Sequence, residues 1–163
     1  MPASPEDLFA KLDALGIGHR TVTHPPLHTV EESRHLRGEL PGLHVKNLFL
    51  KDKKGRMALV TCLEDRAVDL KALGPEVGLQ RPSFGKPDLL WEVLGVRPGA
   101  VTPFALINDP GHAVTFGIDA ALEGADIVNA HPLHNEATTA VSGADLMRFV
   151  ADCGHAPVRL GFG

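Results

Sequence analysis

Along the chain, apolar residues switch between two rhythms. Leu8, Leu12 and Leu15 recur at helical spacing, after Ser4 as N-cap, Pro5 at the first helical position and Asp7 in the first turn, and Gly16 ends the run. "HRTVTH" is a short β-branched strand, broken by "HPP". "TVEESRHLRG" has Thr29 followed three residues later by Glu32, a capping-box pattern for a second helix. "LHVKNLFLKD" and "RMALVTC" predict an antiparallel hairpin turned by the basic "KDKKG". "EDRAVDLKALG" predicts a helix with Ala67, Leu70 and Leu73 inward, and "KPDLLWEVLG" another, started by proline and stopped by glycine. "GAVTPFALIN", "AVTFGID" and "ADIVNAH" predict three strands. "SGADLMRFVADCG" predicts a C-terminal helix capped by Ser142, and "APVRLGF" a last strand. Strands outnumber helices and come in consecutive groups. The fold class is α+β, with a mixed, largely antiparallel sheet and helices packed on it.

One strand breaks its own pattern. In "LHVKNLFLKD", alternation puts His44, Lys46, Leu48 and Leu50 on one face and Val45, Asn47, Phe49 and Lys51 on the other. Apolar residues on both faces describe a covered strand, yet Lys46 and Asn47 sit mid-strand. A lysine there either snorkels its head to water or serves a site. An asparagine there either satisfies local backbone or lines that site.

The chain has 163 residues, 44% hydrophobic and 22% charged, with a formal net charge of −4. That suits a single domain, residues 1–163, with its own core. It does not suit a protein that coats nucleic acid nonspecifically, although Lys51, Lys53, Lys54 and Arg56 cluster near the hairpin turn, with Arg81 and Lys86 as further cations. No apolar run spans a bilayer, and "MPASPEDLFAKL" lacks a secretory pattern. Cys62 and Cys153 form no CxxC. The expectation is a cytoplasmic chain with two incidental thiols and no membrane partner.

Histidine is abundant, at nine residues, but scattered. Neither "HPPLH" nor "HPLH" belongs to a set with catalytic-zinc spacing, so no metal and no cofactor is expected. No GxGxxG, GxxxxGK[ST] or GxSxG occurs, and Ser83 in "RPSFG" reads as a turn or cap residue. In "RPGAVTPF", Gly99 and Pro103 bracket Ala100, Val101 and Thr102. Such a loop turns a chain, or brings backbone N–H groups close to a ligand. In "NAHPLHNEATTAVS", His131, Asn135, Thr138 and Thr139 follow a strand and suit either a turn or a binding loop.

In order, "HPPLHTVEE", "HVKNLFLKD", "RPSFGKPDLLWEVLGVRPGAVTPFALIND" and "HPLHNEATTAVSGADLMRFV" resemble the YbaK/prolyl-tRNA-synthetase-associated editing domain family over nearly the whole chain. The likeness is strongest to its free-standing Ala-tRNA(Pro) deacylases (ProXp-ala). The resemblance implies a curved, largely antiparallel sheet with packed helices. It also implies hydrolysis of the ester joining a wrong amino acid to tRNA. It makes Lys46 the main functional residue. Asn47, the loop Gly99, Ala100, Val101, Thr102 and Pro103, and His131, Asn135 and Thr138 become the substrate-binding set. Lys51, Lys53, Lys54, Arg56 and Arg81 become candidate tRNA contacts.

An aminoacyl ester is already activated, so neither a metal nor a covalent nucleophile is required, and a ribose hydroxyl can assist water. Alanine is smaller than proline and cannot be excluded from a proline site by size, which calls for a second, smaller sieve. The implied partners are mischarged tRNA(Pro) and prolyl-tRNA synthetase, beside which the chain would act in trans. Deacylation of another mischarged tRNA such as Cys-tRNA(Pro), or a noncatalytic tRNA- or nucleotide-binding module, are the alternatives.

Overall fold

The computed structural model describes residues 2–26, 35 and 40–162. Apart from His35, which is helical, the predicted helix opening at Thr29 lies outside the described residues. The first helix, α1 (Pro5–Ala14), follows the expected pattern. Ser4 accepts from the Asp7 amide, Asp7 accepts in turn from the Ser4 amide, and Leu8 and Leu12 are buried. Burying each leucine contributes roughly 1.5–3 kcal/mol.

The described strands are β1 (Arg20–Thr23), β2 (Leu43–Lys51), β3 (Met57–Leu63), β4 (Ser83–Phe84), β5 (Val114–Asp119), β6 (Val128–Ala130), β7 (Ala137–Val141) and β8 (Val158–Leu160). They form one mixed sheet in the order β1-β7-β6-β2-β3-β5-β8, with β4 also paired to β2. The β1/β7, β6/β7, β2/β3 and β2/β4 pairs are antiparallel; β2/β6, β3/β5 and β5/β8 are parallel. The β2–β3 hairpin has the expected register, from Val45 opposite Leu63 to Lys51 opposite Met57.

A strand has two edges. Along one, β3 accompanies β2 without a break. On the other, β6 pairs with Leu43 and His44, and β4 with Leu50 and Lys51. Residues 45–48 between them have no strand partner on that edge among the described residues. Lys46 and Asn47 fall within this opening.

Packing confirms the two faces of β2. Phe49, with Val45 and Leu43 beside it, joins the main core under α1, α3 (Pro87–Leu94) and α4 (Gly143–Asp152), where Phe104 and Phe149 meet edge to face at 5.4 Å. Leu50 and Leu48 face the smaller core of Val60, Leu73, Val77, Leu79 and Leu160.

Four sequence expectations need correction. The helix predicted over "EDRAVDLKALG" is only α2 (Leu70–Glu76), because Asp69 caps it by accepting from the Lys71 amide, and Ala67 is exposed rather than inward. "GAVTPFALIN" is not a strand. Thr102 caps a 3-10 helix, Pro103–Asn108, with proline in its first turn. "ATTAV", read only as a turn or binding stretch, is the buried strand β7. Ser83 is neither turn nor cap; it lies in β4, opposite Lys51.

Candidate active site

Register and alternation place each candidate residue on a face of the sheet. Lys46 lies opposite Cys62, on the face turned away from the main core, and His44 lies beside Asn129 on the same face. If the β2/β6 ladder continued past His44, its next partners would be Val45 with Ala130 and Lys46 with His131. The ladder stops at His44 and Asn129, two residues before Lys46 and His131.

The Lys46 ammonium donates to the main-chain carbonyl of Arg66. That carbonyl is itself fixed. Arg66 Nε donates to Asp119 Oδ2 at 2.9 Å, Nη2 to Oδ1 at 3.3 Å, and Nη1 to the Phe162 carbonyl at 3.3 Å. Asp119 also accepts from the Leu63 and Ala121 amides. Burial alone would raise the Asp119 pKa, but the guanidinium and these amides outweigh it, and the carboxyl lies below its ordinary range. An ammonium has three donors. One is committed to Arg66, which aims the head and leaves the other two to meet oxygen atoms of a ligand. A hollow of about 270 Å³ lined by His44, Leu63 and Arg66 adjoins this anchor.

Asn47 points the other way. Its Oδ1 accepts from the hydroxyl of fully buried Thr61 at 2.6 Å. Lys46 and Asn47 are neighbours in sequence but lie on opposite faces of the sheet.

His131 donates Nδ1–H to the Ala137 carbonyl at 2.8 Å. In the neutral ring this fixes the tautomer and turns Nε2 into an acceptor. Burial, helped by the imidazoles of His24 and His134, pushes its pKa below the ordinary value despite that bond. His24, 6.1 Å away between ring centroids, donates Nδ1–H to the Pro25 carbonyl, and its Nε2 meets the Thr138 hydroxyl at 2.9 Å. On β7, Val141 faces the main core, so Thr138 alternates onto the Lys46 face. Sequence reading placed His131 and Thr138 in one stretch but did not join His24 to them; it follows β1 directly, and its amide donates to the Glu136 carbonyl at 2.9 Å.

The glycine loop approaches the same stretch. Gly99 has φ +87°, and a Cβ there would stand 3.4 Å from Asn135 Nδ2. Ala100, Thr102 and Pro103 are buried and Val101 half-buried against the main core. Not every amide of the loop faces outward, since Ala100 donates to the Arg97 carbonyl at 3.0 Å.

A separate basic cleft of about 780 Å³ opens at the far end of β2. Lys53, Lys54, Arg56 and Arg81 line it, joined by Lys71 from α2, which the sequence pattern did not single out; Lys51 is not part of its lining. Buried Asp52 organises the rim. It accepts from the amides of Lys54, Arg56 and Gln80 and pairs with Arg56 Nε at 2.8 Å.

Neither thiol suits nucleophilic work. Burial pushes Cys62 up and Cys153 to about 11. Among the described residues, no group of three or more His, Cys, Asp or Glu is placed to hold a metal ion, and no helix is long and apolar enough to cross a membrane.

Known proteins resemble this chain in sequence and in fold. Residues 24–149 match the model of the family described as "Aminoacyl-tRNA editing domain". The prolyl-tRNA synthetase associated domain-containing protein 1 of Danio rerio is 39% identical over 165 residues, covering 98% of this chain and 90% of that protein. The prolyl-tRNA editing protein ProX of Acetoanaerobium sticklandii is 39% identical over 144 residues, covering 88% of each. A crystal structure described as that of a proposed trans-editing enzyme for prolyl tRNA synthetase superposes with a TM-score of 0.72 at 23% identity, covering 100% of this chain and 99% of the other, and so shares the fold. By sequence and by fold, the chain belongs to the aminoacyl-tRNA editing domain family.

Proposed function

We propose that this protein acts in trans to hydrolyse the aminoacyl ester of mischarged Ala-tRNA(Pro), beside prolyl-tRNA synthetase. The observation that carries the reading is Lys46, a mid-strand cation whose ammonium is tethered to the carbonyl of Arg66, a residue held in turn by Asp119. The prolyl-tRNA names of the relatives supply the substrate class.

In this reading Lys46 holds the ester end of the tRNA and stabilises the negative charge that builds on the carbonyl oxygen as water adds. The neighbouring ribose hydroxyl orients that water. The tetrahedral adduct collapses by breaking the bond from the acyl carbon to the ribose oxygen, which leaves with a proton originating from the water. Free amino acid and intact tRNA result. His131 presents Nε2 as an acceptor to a substrate N–H or O–H group, supported by His24 and Thr138. The Gly99–Pro103 loop and Asn135 close the aminoacyl end, and Asn47 supports the neighbouring wall from the other face of the sheet through Thr61. Selection rests on size: a pocket that admits a methyl and rejects a pyrrolidine ring supplies discrimination of about 10–200-fold. The Lys53, Lys54, Arg56 and Arg81 cleft, with Lys51 nearby, receives tRNA phosphates.

Deacylation of Ala-, Cys- and Ser-tRNA(Pro) by the purified protein tests this. Preferential loss of the alanyl ester is expected. A preference for the cysteinyl ester would reassign the substrate, and binding of tRNA with every ester left intact would make the protein a noncatalytic module.

A further inference from the structure

We infer that Phe84 is a stacking platform for a base of the single-stranded 3′ end of the RNA, an inference that rests on the tRNA reading above. Phe84 is 59% exposed, and among the described residues the other exposed large apolar side chain is Trp91, whose ring is covered by the Arg97 guanidinium at 3.9 Å. Leaving a phenylalanine so open has a cost in apolar hydration that a ligand can offset.

Its position is set by pairing rather than chance. Phe84 stands opposite Leu50 in the β2/β4 ladder, and paired residues share a face. Leu50 shares its face with Lys46, so the aromatic ring and the ammonium stand on one side of the sheet, about 13 Å apart along β2 at the usual rise for four residues. Among the described residues, Lys46 lies within the opening in the sheet edge and the β4 pair that carries Phe84 closes one end of it. The two-residue strand is held firmly. The Gly85 amide donates to the Phe49 carbonyl at 2.9 Å, and Gly85 lies so close to the Phe49 ring that an added Cβ would come within 2.3 Å of it. The platform is therefore anchored before any ligand arrives.

The surroundings select a nucleotide over a protein surface. Among the described residues, the large apolar side chains that stand exposed are Phe84 and Trp91 alone. Arg81, which lines the basic cleft, precedes Phe84 by three residues, and Lys86 follows by two. A lone aromatic ring among cations suits a base stacked on the ring with its phosphates on the cations. A docking protein would require a larger apolar area. The ring thus lies between the phosphate cleft and Lys46, on the path that a single strand follows from a duplex end to its terminal ester.

Fluorescence anisotropy with uncharged RNA hairpins tests this apart from hydrolysis. One hairpin carries a single-stranded 3′ extension ending in CCA; the other is blunt. Wild-type protein should bind the extended hairpin about tenfold more tightly, a preference that Phe84→Ala abolishes and Phe84→Trp keeps, with unchanged melting temperatures. Equal binding of the extended hairpin by wild type and a folded Phe84→Ala variant overturns the inference, as does a wild-type protein that does not distinguish the two hairpins. Because no ester is present, a Phe84-dependent preference in a protein that hydrolyses nothing would support the platform while removing the editing reading.

Discussion

Lys46 and Asp119 are joined through one residue: the lysine ammonium is bound to the carbonyl of Arg66, whose guanidinium is bound to the Asp119 carboxylate at 2.9 Å. The acid is almost fully buried and the arginine partly exposed. Asp119→Asn keeps the shape but weakens the charge-assisted bonds to Arg66. It should lower stability by about 1.5–3 kcal/mol and slow deacylation by loosening the carbonyl that aims Lys46. Thermal melting beside single-turnover rates checks this. A destabilised variant with an unchanged rate would make the network purely structural.

Asp52 gives a pH signature. Burial opposes its charge, but the amides of Gln80 and Arg56 and the Arg56 guanidinium prevail and bring its pKa down to about 2. A folded-state pKa below the unfolded value stabilises the protein above about pH 4, and that contribution is lost as pH falls through about 2. The Asp52→Asn variant lacks it. The gap in melting temperature between wild type and variant should be widest near about pH 6 and shrink toward about pH 2. A gap independent of pH would show that the charge is not what Asp52 supplies.

At Gly99, conformation and space act together. With φ at +87°, a β-branched residue is strained, and its side chain would grow toward Asn135. Gly99→Val should cost about 1–2 kcal/mol of stability and a larger factor in deacylation rate. A folded variant with wild-type turnover would take the loop out of the site.

The basic cleft predicts a dependence on salt. Lys53→Gln with Lys54→Gln should raise KM with little change in kcat. The dependence of log affinity on log salt should flatten by about one unit for each tRNA phosphate that is no longer neutralised. An unaltered slope would place the tRNA elsewhere.

Much of this fold could be read from local chemistry. Ser4 and Ser142 announce helix starts because their side chains cap amides three residues on. The β2–β3 hairpin follows from two apolar runs around a basic turn. Where reading failed, tertiary pairing or capping decided. Pro103 and Thr102 begin a 3-10 helix that an apolar run disguises as a strand. Thr138 and Thr139 look like loop residues until β1 and β6 flank them. At Lys46 a charge interrupting an apolar strand raised the question of a site, and the family resemblance made it the main candidate. His24, Arg66, Asp119 and Phe84 gave no such signal, since their contacts are with residues distant in sequence. Alternation does separate Lys46 from Asn47 by face, and the structure keeps them apart.

The most direct test is single-turnover deacylation of Ala-tRNA(Pro) and Pro-tRNA(Pro) by wild type, Lys46→Ala and Lys46→Arg, with melting curves for all three. Wild type should clear the alanyl ester and spare the prolyl ester. Lys46→Ala should remain folded and slow by about 10²–10³-fold, the range for one oriented electrostatic interaction in a transition state. Lys46→Arg should recover little, because a planar fork replaces a compact ammonium in a small space. Equal hydrolysis of both esters by wild type, or near-wild-type rates in both variants, would contradict the account.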